Sequence, residues 1–230
     1  MMKPPTLILF DIDGTLLTSG GAGEIALKVG FKREFGLEED LRDVPIAGRT
    51  DSGIARQVLQ KHGLELSPGN IERFFAGYLS ELVVQLPIRS GRVLPGIEEL
   101  LAVLRAQSHV HLGLLTGNLE RGAQIKLKHY GLDGIFPFGA FADDHHDRNA
   151  LGPVALSRAA ELQGIRFPAE RVWVIGDTEH DIACARAFGA NAMGVATGNF
   201  TVDFLSQHGP DALFADLGDT ASVLQAMGID

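Results

Sequence analysis

The chain is poor in several residue types, and each shortage argues against a class of protein. It has one cysteine, Cys184, so no disulfide can form within its 230 residues, which suits a reducing compartment. Basic residues number 20 against 29 acidic ones, a balance that argues against a nucleic-acid or anionic-membrane surface. No apolar run approaches the length of a membrane span or of a signal-peptide core. We therefore expect a cytoplasmic protein that binds neither nucleic acid nor membrane.

The remaining composition is that of an ordinary globular protein. Hydrophobic residues make up 45% of the chain and charged residues 21%. The length suits one large domain, or a core with a small accessory domain. No coiled-coil pattern indicates an oligomeric state, which stays unassigned.

The first third of the chain is predicted to be helical after one short strand. Apolar residues recur at helical spacing over residues 24–35, 51–62 and 71–86, with Asp51 as the expected N-cap of the second helix. The glycine-rich residues 18–23 lack the Gly-x-Gly-x-x-Gly pattern of a dinucleotide site. We interpret them as a hinge, with a second hinge strand near residues 88–92.

Strands and helices alternate in the rest of the chain. Helices are expected near residues 96–107, 119–130, 154–162 and 182–188, and strands near 110–115, 135–141, 172–175 and 192–196. Such alternation implies a parallel sheet covered by helices on both faces. We predict a doubly wound, Rossmann-like α/β core formed by residues 1–17 and 89–230. A small all-helical cap domain, residues 18–88, is inserted after the first strand.

Two carboxylates follow the first predicted strand. Asp11 and Asp13 belong to the segment Asp-Ile-Asp-Gly-Thr, and the period of two in a strand points them to one side as it ends. Gly14 allows a tight turn or the close approach of a ligand. Converging carboxylates repel each other unless a cation, a proton or a substrate compensates them. An Asp-rich turn is the plainer interpretation of the same residues.

Polar residues also close two later strands. Thr116, Gly117 and Asn118 follow one of them, and Asp177 and Asp181 follow another. Ligands of open α/β sheets bind beyond the carboxyl ends of the strands. Hard oxygen ligands there favour Mg²⁺, and helix N-termini favour an anion such as phosphate.

The ordered segments Asp-x-Asp-Gly-Thr, Leu-Thr-Gly-Asn and Gly-Asp-Thr-x-x-Asp resemble the haloacid dehalogenase (HAD) superfamily. The helical block between the first two resembles the type-1 cap of its phosphoglycolate phosphatase-like members. The resemblance implies that Asp11 is the nucleophile and that Asp13 is the general acid and base. Asp11, Asp177 and the backbone carbonyl of Asp13 would bind Mg²⁺. The phosphoryl group would be bound by Thr116, Gly117 and Asn118, and Asp181 would bind the metal through water or orient a basic residue.

One family position differs in this chain. The family usually has a lysine between the second and last segments, whereas here no lysine lies between Lys128 and Asp177. Arg148 precedes the helix where that lysine is expected. We predict that Arg148 takes its role and reduces repulsion between Asp11 and phosphate. The alternative is an exposed loop arginine.

The substrate's organic part would meet the cap. Arg49, in the polar loop that opens the second cap helix, is the candidate contact for a carboxylate or phosphate. The alternative is a solvated side chain beside an ordinary N-cap.

The resemblance implies a Mg²⁺-dependent phosphoric monoester hydrolase that acts on a small phosphorylated metabolite through an aspartyl-phosphate. Phosphoglycolate or a sugar phosphate is the expected substrate. A phosphomutase of the β-phosphoglucomutase type, an inorganic pyrophosphatase and a regulatory protein on an inactive fold remain alternatives. The presence of Asp13, which dehalogenases of the superfamily lack, favours phosphoryl transfer.

Overall fold

The strands of the molecule form one large and one small sheet in a computed structural model that describes residues 3–229. Within these residues the strands are β1 (Thr6–Phe10), β2 (Leu17–Thr18), β3 (Arg92–Val93), β4 (Val110–Leu115), β5 (Gly139–Ala140), β6 (Val172–Gly176), β7 (Asn191–Val195) and β8 (Ala212–Phe214). The large sheet has the order β5-β4-β1-β6-β7-β8, with every pair parallel. The predicted parallel α/β fold is confirmed.

Helices connect these strands. They are α1 (Ala22–Phe35), α2 (Asp51–Lys61), α3 (Pro68–Gln85), α4 (Ile97–Arg105), α5 (Glu120–His129), α6 (Leu151–Gln163), α7 (Glu179–Ala187), α8 (Val202–Ser206) and α9 (Thr220–Ala226). Short 3₁₀ turns precede α6 and β6 and follow α3. None of the helices in the described part of the chain has the length and apolar character needed to cross a membrane.

Both faces of the large sheet are buried, because helices cover each of them. Ile8 and Phe10 of β1 pack into one apolar cluster, with residues of α4, α5 and α9. Leu7 and Leu9 point the other way, into a second cluster with residues of α6, α7 and α8. Each fully buried side chain of this kind contributes about 1.5–3 kcal/mol. Because side chains pack against both faces of β1, the position of the residues that follow this strand is fixed.

The chain between β2 and β3 contains α1, α2 and α3, which we call the helical unit. The two strands pair antiparallel, Leu17 with Val93 and Thr18 with Arg92, at its base. The unit has an apolar cluster of its own, which also takes in Leu119 and Ala142 of the α/β part. The limits 18–88 for a cap domain and its hinge motion stay predictions.

Several elements differ from the sequence prediction. The strand expected over residues 135–141 is only two residues long, Gly139–Ala140. The helix α6 begins at Leu151, three residues early, because Pro153 is tolerated in a first helical turn. The helix α7 also begins early, at Glu179, because Thr178 and Asp181 form a capping box. The elements α8, β8 and α9 had no sequence prediction.

Candidate active site

Three neighbouring strands bring the predicted site residues to one edge of the sheet. Asp11 follows β1, Thr116 follows β4 and Asp177 follows β6, and β1 lies between the other two strands. The backbone N–H of Asp11 donates to the carbonyl of Ile175 at 2.9 Å, which fixes Asp11 beside the end of β6. All three side chains are buried. The structure thus brings together residues more than a hundred positions apart.

Asp11 lies in a cluster of three carboxylates. One oxygen each of Asp11, Asp177 and Asp181 lies within 4.8 Å of the others. A nitrogen of Arg148 donates to Asp11 Oδ1 at 2.9 Å, and the same nitrogen hydrogen-bonds Asp181. The other terminal nitrogen donates to the carbonyl of Gly48 at 3.1 Å, in the helical unit. Arg148 is 7% exposed, so it is not the exposed loop residue of the alternative interpretation.

The charges of this cluster are not balanced by the protein. Burial raises the pKa of Asp11 to about 6, although Arg148 acts in the opposite direction. Burial and the neighbouring Asp181 and Asp11 raise the pKa of Asp177 to about 9. Burial alone would lower the pKa of Arg148, but Asp181 and Asp11 raise it above its usual value. The carboxylates therefore lack a positive charge that would keep all of them ionised.

Two glycines allow the chain to pass close to Asp177. Gly14 adopts φ 83°, and a Cβ there would lie 2.3 Å from an oxygen of Asp177. A Cβ on Gly198, in the loop after β7, would lie 1.7 Å from the same oxygen. Thr197 ties the two segments together, because its hydroxyl donates to the carbonyl of Gly14 at 2.6 Å. The sequence analysis missed this second loop, which has no charged residue to mark it.

Asp13 points away from the carboxylate cluster and towards a different cation. Its Oδ2 accepts from Lys126 Nζ at 2.5 Å and from the amide of Asn118 at 2.9 Å. The Asn118 oxygen accepts from Lys126 Nζ at 2.6 Å, and its amide also donates to the Thr116 hydroxyl at 2.9 Å. The Asp13 side chain is 37% exposed, whereas that of Lys126 is 4% exposed. Each of the two aspartates thus has its own buried cation.

Lys126 was not among the site residues predicted from the sequence. It lies on α5, whose apolar spacing predicted a helix but no site residue. Ala123 and Leu127 are buried on the same helix, so Lys126 shares the inward face with them. A lysine at an apolar position of an amphipathic helix is the signal that could have found it.

The helical unit meets the α/β part through the start of α2. Asp51 was predicted as the N-cap of that helix, but Thr50 is the N-cap, and its hydroxyl accepts from the N–H of Gly53. The prediction is wrong by one residue because both side chains are good caps. The Asp51 carboxylate instead accepts from the N–H of Leu119, the residue before α5, at 2.8 Å, and so ties the two parts together.

A cavity of about 400 Å³ lies between the helical unit and the sheet edge. Asp11, Asp13 and Lys126 line it from one side, and Arg49 and Tyr78 line it from the other. Arg49 is exposed at this rim. The Arg49 carbonyl packs closely against Gly117, where a Cβ would lie 2.1 Å from it. The predicted cap contact therefore lies in the same cavity as the two aspartates.

The carboxylate cluster fits a hard divalent cation. Its donors are carboxylate oxygens, which Mg²⁺ prefers, and they are buried at the end of a strand. The raised pKa values of Asp11 and Asp177 indicate that positive charge is lacking at this point. In Asp181, Oδ1 is bonded to Arg148, and Oδ2 accepts from the Thr178 hydroxyl at 2.7 Å. Both oxygens of Asp181 are thus hydrogen-bonded to protein side chains, whereas Asp177 Oδ1 accepts a longer hydrogen bond, at 3.4 Å, from the Thr15 hydroxyl.

Comparison with known proteins assigns the chain to a family. A model of haloacid dehalogenase-like hydrolases matches residues 8–186. The chain belongs to this family. This haloacid dehalogenase-like hydrolase is 28% identical to a "Probable phosphatase IndB" of Dickeya dadantii (strain 3937), over 98% of this chain and 95% of that protein. It is 26% identical to a phosphoglycolate phosphatase of Vibrio cholerae, over 97% and 98% of the two chains.

The fold of this hydrolase also matches solved structures. The crystal structure of a "predicted phosphoglycolate phosphatase" from Haemophilus somnus 129PT superposes with a TM-score of 0.71, at 21% identity. The match covers 98% of this chain and 100% of that one. The hydrolase thus shares the fold of that protein along its whole length, and the relatives named above are called phosphatases.

Proposed function

We propose that this hydrolase is a Mg²⁺-dependent phosphatase that acts on a small phosphorylated metabolite through an aspartyl-phosphate on Asp11. The observation that carries the proposal is the division between the two aspartates. Asp11 lies in the buried carboxylate cluster beside Arg148, while Asp13 faces the cavity with Lys126 and Asn118. A double displacement requires such a pair, one group to attack and one to move the proton.

In the first step Asp11 attacks phosphorus and the bond from phosphorus to the leaving oxygen breaks. Arg148 reduces the repulsion between this carboxylate and the phosphoryl oxygens. Its Nε is buried and has no hydrogen-bond partner among residues 3–229. The hydroxyl of Thr116 and the N–H of Gly117 supply further donors to that group, and Asn118 orients the hydroxyl.

Asp13 handles the proton in both steps. As the leaving oxygen departs, Asp13 donates a proton to it. In the second step water attacks phosphorus, Asp13 takes a proton from that water, and the bond between Asp11 and phosphorus breaks. Inorganic phosphate is released, Asp11 is again a carboxylate, and Asp13 again carries the proton with which it began.

Mg²⁺ would be held by the side chains of Asp11 and Asp177 and by the backbone carbonyl of Asp13. When bound, the ion neutralises charge on the phosphoryl oxygens and on the attacking carboxylate. Asp181 is assigned to orienting Arg148, because one of its oxygens is bonded to that residue and the other to Thr178.

The leaving group would occupy the cavity below the helical unit. Its volume of about 400 Å³ suits a small metabolite rather than a macromolecule. Arg49 at the rim is our candidate contact for an anionic substrate group. Because several full-length relatives are named phosphoglycolate phosphatase, phosphoglycolate is the first substrate to test, followed by sugar phosphates.

The test is phosphate release from a panel of phosphorylated metabolites, with Mg²⁺ and with EDTA. The wild-type protein is compared with Asp11→Asn, which keeps the shape of the side chain and removes the nucleophile. We expect Mg²⁺-dependent release by the wild type, and loss of release with EDTA or in the variant. A wild-type protein that hydrolyses no ester on the panel would overturn the proposal.

Two alternatives are separated in the same assay. A pyrophosphatase would release phosphate from pyrophosphate in preference to every ester. A phosphomutase would convert a hexose 1-phosphate to the 6-phosphate when a bisphosphate activator is added, with little free phosphate. Analysis of the products therefore distinguishes the three activities.

A further inference from the structure

Lys126 is the buried charge that the proposed reaction leaves without a role. It is 3% exposed, yet its ammonium lies at the wall of the cavity below the helical unit. A buried lysine is costly unless it is paired, and such residues are rarely retained without a structural or functional reason. Its partners therefore show what the residue does.

The ammonium of Lys126 contacts only one of the two aspartates. It donates to Asp13 Oδ2 at 2.5 Å, whereas Asp11 is paired with Arg148. Asn118 donates to the same Asp13 oxygen at 2.9 Å. Both hydrogen bonds that the described residues make to the Asp13 carboxylate thus fall on Oδ2, and none of them engages Oδ1 of this cavity-lining residue.

A group from the helical unit completes the surroundings of Lys126. Tyr78 of α3 is 1% exposed, and its hydroxyl lies close enough to the ammonium to interact with it. A Cβ on Gly23, in the first turn of α1, would lie 3.8 Å from Lys126 Nζ and 4.0 Å from the Tyr78 hydroxyl. The helical unit therefore covers the lysine and confines its amine to the side of Asp13.

We propose that Lys126 is the positioning residue for Asp13, holding Oδ2 so that Oδ1 meets the oxygen of the leaving group. The inference rests on the proposed phosphatase function. In the first step Oδ1 releases its proton to the leaving oxygen, and the resulting carboxylate stays hydrogen-bonded to Lys126 and Asn118. Lys126 itself neither gains nor loses a proton.

The dependence of rate on the leaving group tests this role. An alkoxide leaves poorly without a proton, so an alkyl phosphate such as glycerol phosphate needs a placed acid. A p-nitrophenolate leaves readily without one, so p-nitrophenyl phosphate does not. The quantity to compare is kcat/KM for the two esters, because it reports the steps up to formation of the aspartyl-phosphate.

We expect Lys126→Met to lower kcat/KM for the alkyl ester about 30- to 100-fold, and for the aryl ester less than about 3-fold, since general acids contribute about 10²–10⁴. Asp13→Asn should give the same pattern with a larger ratio. The double variant should match Asp13→Asn within about 2-fold, because Lys126 acts through that carboxylate. Lys128→Met is the matched control, since Lys128 is exposed on the same helix and should leave both values unchanged.

The outcomes separate the inference from the function on which it rests. Equal losses on both esters would mean that Lys126 only supports the fold, and would overturn the inference alone. Hydrolysis of neither ester by the wild type would overturn the proposed function and the inference together. Circular dichroism checks that the variants fold. If Lys126→Met does not, Lys126→Gln, which keeps a hydrogen-bond donor and loses the charge, is judged by the same ratio.

Discussion

The two aspartates of the first motif are two residues apart, yet the protein surrounds them differently. Asp11 is buried with Asp177, Asp181 and Arg148, all from the α/β part of the chain. Asp13 is partly exposed, and it is paired with Lys126 at the cavity wall that the helical unit covers. The charged groups on the Asp11 side therefore all come from the α/β part, which the helical unit contacts there through the hydrogen bond from Arg148 to the Gly48 carbonyl. On the Asp13 side, the cavity wall is formed by both parts of the molecule.

The balance of charge differs in the same way. On the Asp11 side, three carboxylates against one guanidinium would leave two negative charges if all were ionised. That excess suits a divalent cation. Burial, and after it the neighbouring carboxylates, raise the pKa of Asp177 to about 9. On the Asp13 side, one carboxylate meets one ammonium directly. The contrast fits our proposal that metal and phosphate bind on the first side and that the proton is transferred on the second.

Arg148→Ala should cause the largest loss of activity of the variants considered below, because it changes the surroundings of Asp11. It removes the cation beside the attacking carboxylate, so we expect kcat/KM to fall about 10²–10³-fold, as when a preorganised donor is removed. The loss should be equal for alkyl and aryl phosphates, in contrast to Lys126→Met, because the charge acts at phosphorus. Steady-state kinetics with both esters measure it.

Two variants serve as controls for that result. Arg148→Lys should recover part of the activity, because a lysine also supplies positive charge but not the fork that reaches Asp11 and Gly48. Arg158→Ala removes a half-exposed arginine of α6 that is paired with Asp144. This variant should leave the rate unchanged. Undiminished turnover in Arg148→Ala would contradict the assigned role.

Gly198→Ala should disturb the metal site without removing a ligand. The added Cβ would lie 1.7 Å from an oxygen of Asp177, so that carboxylate must move. We expect the Mg²⁺ concentration for half-maximal activity to rise about 10- to 100-fold, the range found when groups that orient a ligand are lost. A titration of activity with Mg²⁺ measures the shift.

Gly69→Ala is the matched control, because a Cβ there meets no atom within 4 Å. Its Mg²⁺ dependence should equal that of the wild type. If Gly198→Ala titrates like the control, the loop after β7 has no part in placing Asp177. Neither variant should change the ratio of rates on alkyl and aryl esters, because neither touches the contacts of Asp13.

The sequence predicted the Asp11 side of the site better than the Asp13 side. Asp11, Asp177 and Thr116 close buried strands, and strand ends of a parallel sheet meet at one edge, so local patterns were sufficient. Lys126 contacts Asp13 from the second turn of α5, and that contact depends on how α5 rotates against the sheet. Periodicity gives the inward face of a helix, but not which cavity that face borders.

The same limit explains the errors in the fold. The strand expected over residues 135–141 is reduced to Gly139–Ala140. This strand lies at the edge of the sheet, where native proteins often keep strands short. Asp51 has the chemistry of an N-cap, but its carboxylate accepts from the N–H of Leu119, ahead of α5, and does not cap its own helix. That choice is made by tertiary contact, which spacing along the chain does not encode.

Tyr78→Phe should slightly weaken the positioning of Asp13 by Lys126. It removes the hydroxyl beside the Lys126 ammonium but leaves the bonds of that ammonium to Asp13 and Asn118. We expect a 2- to 5-fold loss of kcat/KM on the alkyl ester and no change on the aryl ester, about the worth of one net hydrogen bond. An equal loss on both esters would show that Tyr78 acts through the packing of α3 instead.

Glu39→Gln tests whether the ion pair of a buried carboxylate can contribute to the free energy of unfolding without affecting the rate of the reaction. Glu39 lies in the helical unit, away from the cavity, and accepts from Lys61 at 2.9 Å and from the N–H of Leu41 at 2.6 Å. Burial alone would raise the pKa of Glu39, but the hydrogen bonds from Lys61, Leu41 and His62 lower it from 4.5 to about 2. The ionised form is therefore favoured in the folded state.

The sign of the pH dependence follows from that depressed pKa. The stabilisation is complete at pH values above 4.5 and is lost as the pH falls from there towards about 2. We expect Glu39→Gln to lower the free energy of unfolding at pH 7 by roughly 2 kcal/mol, and the deficit relative to wild type to shrink below pH 4.5. Urea unfolding across pH measures it, with kcat/KM unchanged where both proteins are folded.

Glu38→Gln is the control for that experiment, because Glu38 is the neighbouring residue and its side chain is 79% exposed beside Lys32. Exposed pairs contribute little, so its unfolding free energy should match that of the wild type at every pH. Glu39→Gln could instead change the alkyl-to-aryl ratio of rates. That result would show that packing inside the helical unit affects the position of Asp13, beyond the direct contacts of Lys126.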